Sequence, residues 1–122
     1  MYPRLVIDIG KLRANLDAVA HITKDEGQCS LMIVTKGMCA DREMVSMVAQ
    51  HPAVDFVADS RVKNIRTYAD EVRKNGKKTV LLRIPMHDEA AEVIKYVDLS
   101  FNSELSTIRL LNEEAKKAGL VH

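Results

Sequence analysis

The sequence predicts an α/β chain, about half of a (β/α)8 barrel, with parallel strands alternating with helices behind one N-terminal strand. Three observations lead there. Apolar runs of strand length alternate with helical spacings along the whole chain. The strand runs are continuously apolar, the mark of strands covered on both faces. A polar residue closes successive runs once per strand–helix unit: Lys36, Asp59, Arg83 and Asn102.

The elements follow in order. Residues 5–9 (LVIDI) are rich in β-branched side chains and read as the leading strand. Leu12, Leu16, Val19 and Ile22 give residues 11–23 a helical apolar stripe. Residues 31–35 (LMIVT) form the next strand. Asp41 suits an N-cap, Met44, Val45, Met47 and Val48 supply the helix's apolar face, and His51-Pro52 stops it. DFVAD, residues 55–59, is a strand. The helix over 61–75 rests on Ile65, Tyr68, Ala69 and Val72 and closes at Asn75-Gly76. TVLLRI (79–84), a short helix over 88–96 and DLSF (98–101) follow. A final helix opens at Ser103-Glu104 and ends at Gly119. Leu120-Val121 reads as the entry to a further strand, so the chain is expected to be the N-terminal portion, 1–122, of a barrel domain about twice as long.

Composition narrows the function classes. Eighteen Lys and Arg against 17 Asp and Glu leave a net charge of +1, against a nucleic-acid partner. No apolar run is long enough for a membrane span, and the start lacks a secretion signal. Two cysteines make no disulfide framework, so a reduced, cytoplasmic setting is expected. Four scattered histidines show no metal-ligand spacing. Hydrophobic residues are 47% of the chain but aromatics only 4%, so aliphatic side chains must fill the core.

In parallel α/β folds, chemistry gathers at the carboxyl ends of the strands. The candidates there are Lys36, Asp59-Ser60-Arg61, Arg83 and Asn102-Ser103. A lysine amine beside other cations can form a Schiff base with an aldehyde cofactor such as pyridoxal phosphate (PLP). Gly37 keeps bulk away from it. Plainer roles stand beside each candidate. Lys36 would be a solvated loop residue, Arg83 an ion-pair partner of Asp59 or Asp98, Asp59-Ser60 the cap of the following helix, and Ser103 an N-cap. Cys39, with no histidine motif beside it, reads as a small buried or loop residue.

The blocks MYPRLVIDIGKLRANL, VTKGMCAD, FVADSR, LLRIPM and DLSFNSEL resemble, in this order, the N-terminal part of the alanine racemase family, most of all its ornithine racemase-like branch. The resemblance runs from residue 1 to 122. It implies a PLP-dependent amino-acid racemase that acts by two bases. Lys36 would bond the cofactor and serve one face of Cα. A residue from the rest of the chain, typically a tyrosine of a partner subunit, would serve the other, which makes the full-length form a homodimer. Asp59, Arg83, Asn102 and Ser103 become candidate cofactor-binding residues, with Asp59 the acidic strand-end candidate for a basic substrate. The strand at 5–9 would pack on a C-terminal β domain. Typical alanine racemases carry a tyrosine four positions after the PLP lysine, and here that position is Ala40, which favours the ornithine-like branch. The phosphate-binding loops and second base fall outside these residues, so this chain alone is expected to be inactive. The alternatives are a non-catalytic PLP-binding protein of the same barrel fold and a structural module in which Lys36 is incidental. Self-association through open sheet edges is also expected.

Overall fold

A computed structural model describes residues 2–122. Four strands, β1 (Met32–Val34), β2 (Phe56–Asp59), β3 (Lys78–Leu81) and β4 (Leu99–Ser100), form one sheet in the order β1-β2-β3-β4. Every neighbouring pair is parallel. Helices α2 (Arg42–Gln50), α3 (Val62–Lys74) and α4 (Ala90–Tyr96) are the crossovers. Helix α1 (Ile9–Ala20) precedes the sheet and α5 (Leu105–Ala118) follows it. Strands that pair with their successors through right-handed crossovers place all the helices on one face. This is the order of a barrel wall, and the α/β partial-barrel reading stands.

The pleat sorts the strand residues. Val57 and Leu81 pack into one core with Val45, Val48, Ile65, Val72 and Val93 from the helices. Ile65 and Leu81 are completely buried. Side chains of that size each contribute roughly 1.5–3 kcal/mol by leaving water. The alternate residues point away from the helices. One register row of that second set runs Val34, Ala58, Val80, Leu99 across the whole sheet.

Helix ends follow their local chemistry. Asp41 caps α2, its carboxylate accepting from Glu43 N and Met44 N at 3.1 Å. The chain after α3 turns through Gly76 at φ 71°, and α5 ends on Gly119 at φ 66°, both left-handed positions that favour glycine. The expected cap at Ser103 is displaced: Glu104 is the N-cap of α5, with no side-chain hydrogen bond, and Ser103 stays exposed outside it.

Two larger differences from the sequence reading appear. The leading strand over 5–9 is not formed. Leu5 and Val6 are 78% and 81% exposed, because a β-prone segment without a neighbouring strand has nothing to donate to. Asp8 instead caps α1, accepting from Lys11 N at 3.0 Å. The first helix also changes character past Ala20, continuing as a π-helical turn, His21–Glu26. Thr23 Oγ1 donates to Val19 O there at 2.8 Å.

The amino ends of the strands are riveted by charges. Asp55 accepts from Lys24 Nζ at 2.8 Å and Leu31 N at 2.7 Å. Those two bonds, Lys24 first, hold its carboxyl below the ordinary value against the cost of burial. Lys77 Nζ donates to His51 O and Val54 O at 2.7 and 2.8 Å. Asp98 accepts from Thr79 N at 2.8 Å and from Arg73 at 2.9 Å. Burial pushes the Asp98 carboxyl up, but the Thr79 and Arg73 donors outweigh it and hold it low.

Candidate active site

Lys36 opens a 3-10 turn, Lys36–Met38, directly after β1. The turn closes on itself through Met38 N to Thr35 O at 3.1 Å and Cys39 N to Lys36 O at 3.2 Å. Cys39 and Ala40 both take left-handed backbone, φ 50° and 57°. Two successive non-glycine residues there cost energy, so the loop that presents Lys36 is strained. The Lys36 side chain is exposed, and its Nζ forms no hydrogen bond or ion pair among the described residues. A Cβ at Gly37 would meet nothing within 4 Å, so the space beside the lysine is open.

The strand end that carries Lys36 is held from behind. Thr35 N and Oγ1 donate to Ala58 O at 2.9 and 3.2 Å. Thr35 Oγ1 also reaches Asp59 Oδ2 at 3.1 Å. The other carboxylate oxygen of Asp59 accepts from Arg61 N at 2.9 Å and Asn64 Nδ2 at 3.1 Å. Asp59 therefore ties the end of β1 to the start of α3. Tyr68 of α3 lies beside the same pair and is buried. Burial raises its phenol well above the ordinary value, the Thr35 hydroxyl opposing and the Asp59 carboxylate adding.

The four strand-end candidates do not share one register position. The β1 ladder ends where Val34 pairs with Ala58, whereas Asp59 still pairs with Leu81 inside the sheet. Asp59 is completely buried on the helix side, and Lys36 stands past the ladder in the 3-10 turn, exposed.

Arg83 is half-buried and fully engaged. Its Nε donates to Ser60 O at 2.8 Å, Nη1 to Ile84 O at 3.1 Å, and Nη2 to both carboxylate oxygens of Glu89 at 2.8 and 2.7 Å. The expected partners Asp59 and Asp98 are not used, since Asp98 belongs to Arg73. Arg83 thus joins the ends of β2 and β3. Asn102 sits past β4, its Nδ2 donating to Ser100 Oγ at 2.9 Å. Its Oδ1 is buried with no partner among the described residues. It lines a cleft of about 560 Å³ with Leu99, Ser100, Ile108 and His122. Ser103 is exposed beside it. Thr35, Asn64, Tyr68 and Glu89 were not foreseen. Thr35 alone had a signal, a hydroxyl at the end of an apolar run beside a lysine.

The sequence comparison gives this site a context. An ornithine racemase from Acetoanaerobium sticklandii is 41% identical over all 122 residues, and the chain spans 33% of that protein's length. This chain is similar to a racemase. No family model matches the chain, and no solved structure matches it. The similarity is racemase-like at the level of the whole chain, and covers about a third of its relative. No described helix is long and apolar enough to cross a membrane, and no described group of three or more His, Cys, Asp or Glu is placed to hold a metal.

Proposed function

We propose that this chain contributes the lysine-bearing part of a PLP-dependent amino-acid racemase of the ornithine racemase type. The observation that carries the reading is Lys36, an unpaired amine presented by a strained loop at the carboxyl end of a barrel-wall strand. The residues fit the cofactor in one respect: a free amine with open space beside it can bond an aldehyde.

PLP, when bound, supplies an electron sink that acidifies the Cα–H of an amino acid. Lys36 Nζ would hold the cofactor, and the same amine would take or return a Cα proton from one face. Thr35 and Asp59 act as positioning residues, fixing the strand end from which Lys36 projects. Arg83 holds the β2 and β3 ends together, and Asn102 and Ser103 offer polar contacts at the β4 end. Ornithine as substrate and a second base from outside these residues belong to the same proposal.

The test is reduction with borohydride in the presence of PLP, followed by peptide mass analysis. The expected result is one phosphopyridoxyl group on the peptide containing Lys36, lost in Lys36→Ala. Equal labelling of Lys36→Ala, or labelling spread over surface lysines, overturns the assignment. Labelling at Lys36 without racemisation when the remaining part of the enzyme is supplied would favour a PLP-binding protein instead.

A further inference from the structure

We propose that the loop presenting Lys36 rests on a buried solvent site, in which water bonded to the Tyr68 hydroxyl bridges α3 to the back of that loop. Support of this kind does not depend on whether Lys36 bonds PLP. The groups involved are buried on the helix side of the sheet, where any further residues could only cover them more deeply.

Tyr68 belongs to α3 and is only 4% exposed, yet its hydroxyl oxygen is buried with no hydrogen-bond partner among the described residues. A buried hydroxyl left unpaired is costly, and native structures nearly always satisfy it with a protein group or an ordered water. The Thr35 hydroxyl beside the phenol is already shared between Ala58 O at 3.2 Å and Asp59 Oδ2 at 3.1 Å. The other Asp59 oxygen is taken by Arg61 N and Asn64 Nδ2.

A cavity beside Tyr68 can hold that water. It has about 80 Å³ and is lined by Ala40, Arg42, Val45, Thr67, Tyr68 and Glu71. A water needs roughly 10–15 Å³ of such space and about two to four polar partners. Arg42, Thr67 and Glu71 supply polar groups besides the phenol. Thr67 Oγ1 donates to Asn64 O at 2.7 Å and keeps lone pairs with which to accept. Ala40 brings the cavity to the lysine loop. Its N donates to Thr35 O at 3.3 Å, across the base of the loop, and its backbone is left-handed at φ 57°. A wider polar groove between α2 and α3 shares Arg42, Thr67 and Glu71 with the cavity, so solvent has a route in. Water bridging Tyr68 to this corner would brace a strained stretch of backbone.

The experiment is a high-resolution crystal structure of the full-length protein that carries this chain, with amide hydrogen exchange of wild type and Tyr68→Phe. The expected density is ordered water within hydrogen-bond distance of Tyr68 Oη, in the cavity beside Ala40. Tyr68→Phe removes the anchor and keeps the ring. Exchange at Met38 and Ala40, whose amides both donate to Thr35 O, should then quicken roughly three- to tenfold, the worth of about one hydrogen bond. A dry cavity overturns the proposal, and so does a phenol bonded directly to Thr35 Oγ1 or to another protein atom. Exchange in Tyr68→Phe equal to or slower than wild type also overturns it, since that is what a dry, unpaired hydroxyl predicts. Neither readout involves PLP, so the outcome is separate from the labelling of Lys36.

Discussion

Replacing Asp59 separates a residue that positions the site from one that touches a ligand. Its carboxylate is completely buried and accepts from Thr35 Oγ1, Arg61 N and Asn64 Nδ2. Asp59→Ala removes all three bonds. Hydrogen bonds to a charged group are worth about 1.5–3 kcal/mol each, but these three are coupled, and Thr35 keeps Ala58 O as an acceptor. A loss of about 3 kcal/mol follows. Asp59→Asn keeps an acceptor oxygen for Arg61 and Asn64 and gives Thr35 an amide donor, so it should cost about 1 kcal/mol. In urea, at a slope of about 2 kcal/mol per molar, the alanine midpoint falls by about 1.5 M and the asparagine midpoint by about 0.5 M. Circular dichroism through the melt reads both. An alanine midpoint within about 0.3 M of wild type would refute the clamp and return Asp59 to the ligand-facing candidates.

Other outcomes follow from single features of the fold. Ala40→Gly relieves a left-handed residue and should stabilise by about 0.5–1 kcal/mol, read as a rise of a few degrees in the melting temperature. Gly27→Ala should destabilise by about 1–3 kcal/mol, because the new Cβ would lie 2.9 Å from the backbone oxygen of Thr23; an unchanged urea midpoint would refute the close approach. The Asp55 carboxyl is held below its ordinary 3.8, so its pairing contributes stability above that value and loses it as pH falls through the lower folded value. Asp55→Asn should therefore be less stable than wild type at pH 7, and the gap should narrow in melts taken at progressively lower pH below 3.8. A gap that stays constant or widens on acidification contradicts the Lys24–Asp55–Leu31 arrangement.

The fold was legible where a short local pattern decides it. The stripe of Ile65, Tyr68, Ala69 and Val72 marks α3 because all four meet the same core. Asp41 and Gly119 mark helix ends because a cap is a contact within a few residues. The strand limits over 31–35 and 79–84 run too long: the ladders span Met32–Val34 and Lys78–Leu81, although Leu31 before the first and Leu82 and Ile84 after the second are also apolar. Apolar character reports burial, whereas a strand also needs a neighbour. The segment 5–9 makes the same point more strongly, since its β-branched run finds no neighbour and Asp8 turns to capping α1.

The site was legible at the level of strand ends and not at the level of side-chain direction. Lys36 was singled out by a contrast, a charge after four apolar residues, and it does stand at the carboxyl end of β1. Asp59 follows the same kind of run one strand later, yet it is still a ladder residue buried on the helix side, whereas Lys36 stands past the ladder in an exposed turn. Where each ladder stops depends on which residue of β1 pairs with which residue of β2, a fact settled by loop length and packing that neither strand encodes alone. Arg83 shows the second limit. Its partners Ser60 and Glu89 lie on β2's exit loop and on the turn before α4, and the guanidinium bonds both at once. A sequence lists several carboxylates within reach of that arginine. Only the assembled strand ends choose Glu89, and in doing so they commit Arg83 to holding the wall together. The amine of Lys36 stays exposed with no internal partner among the described residues, which is the property a covalent cofactor site requires.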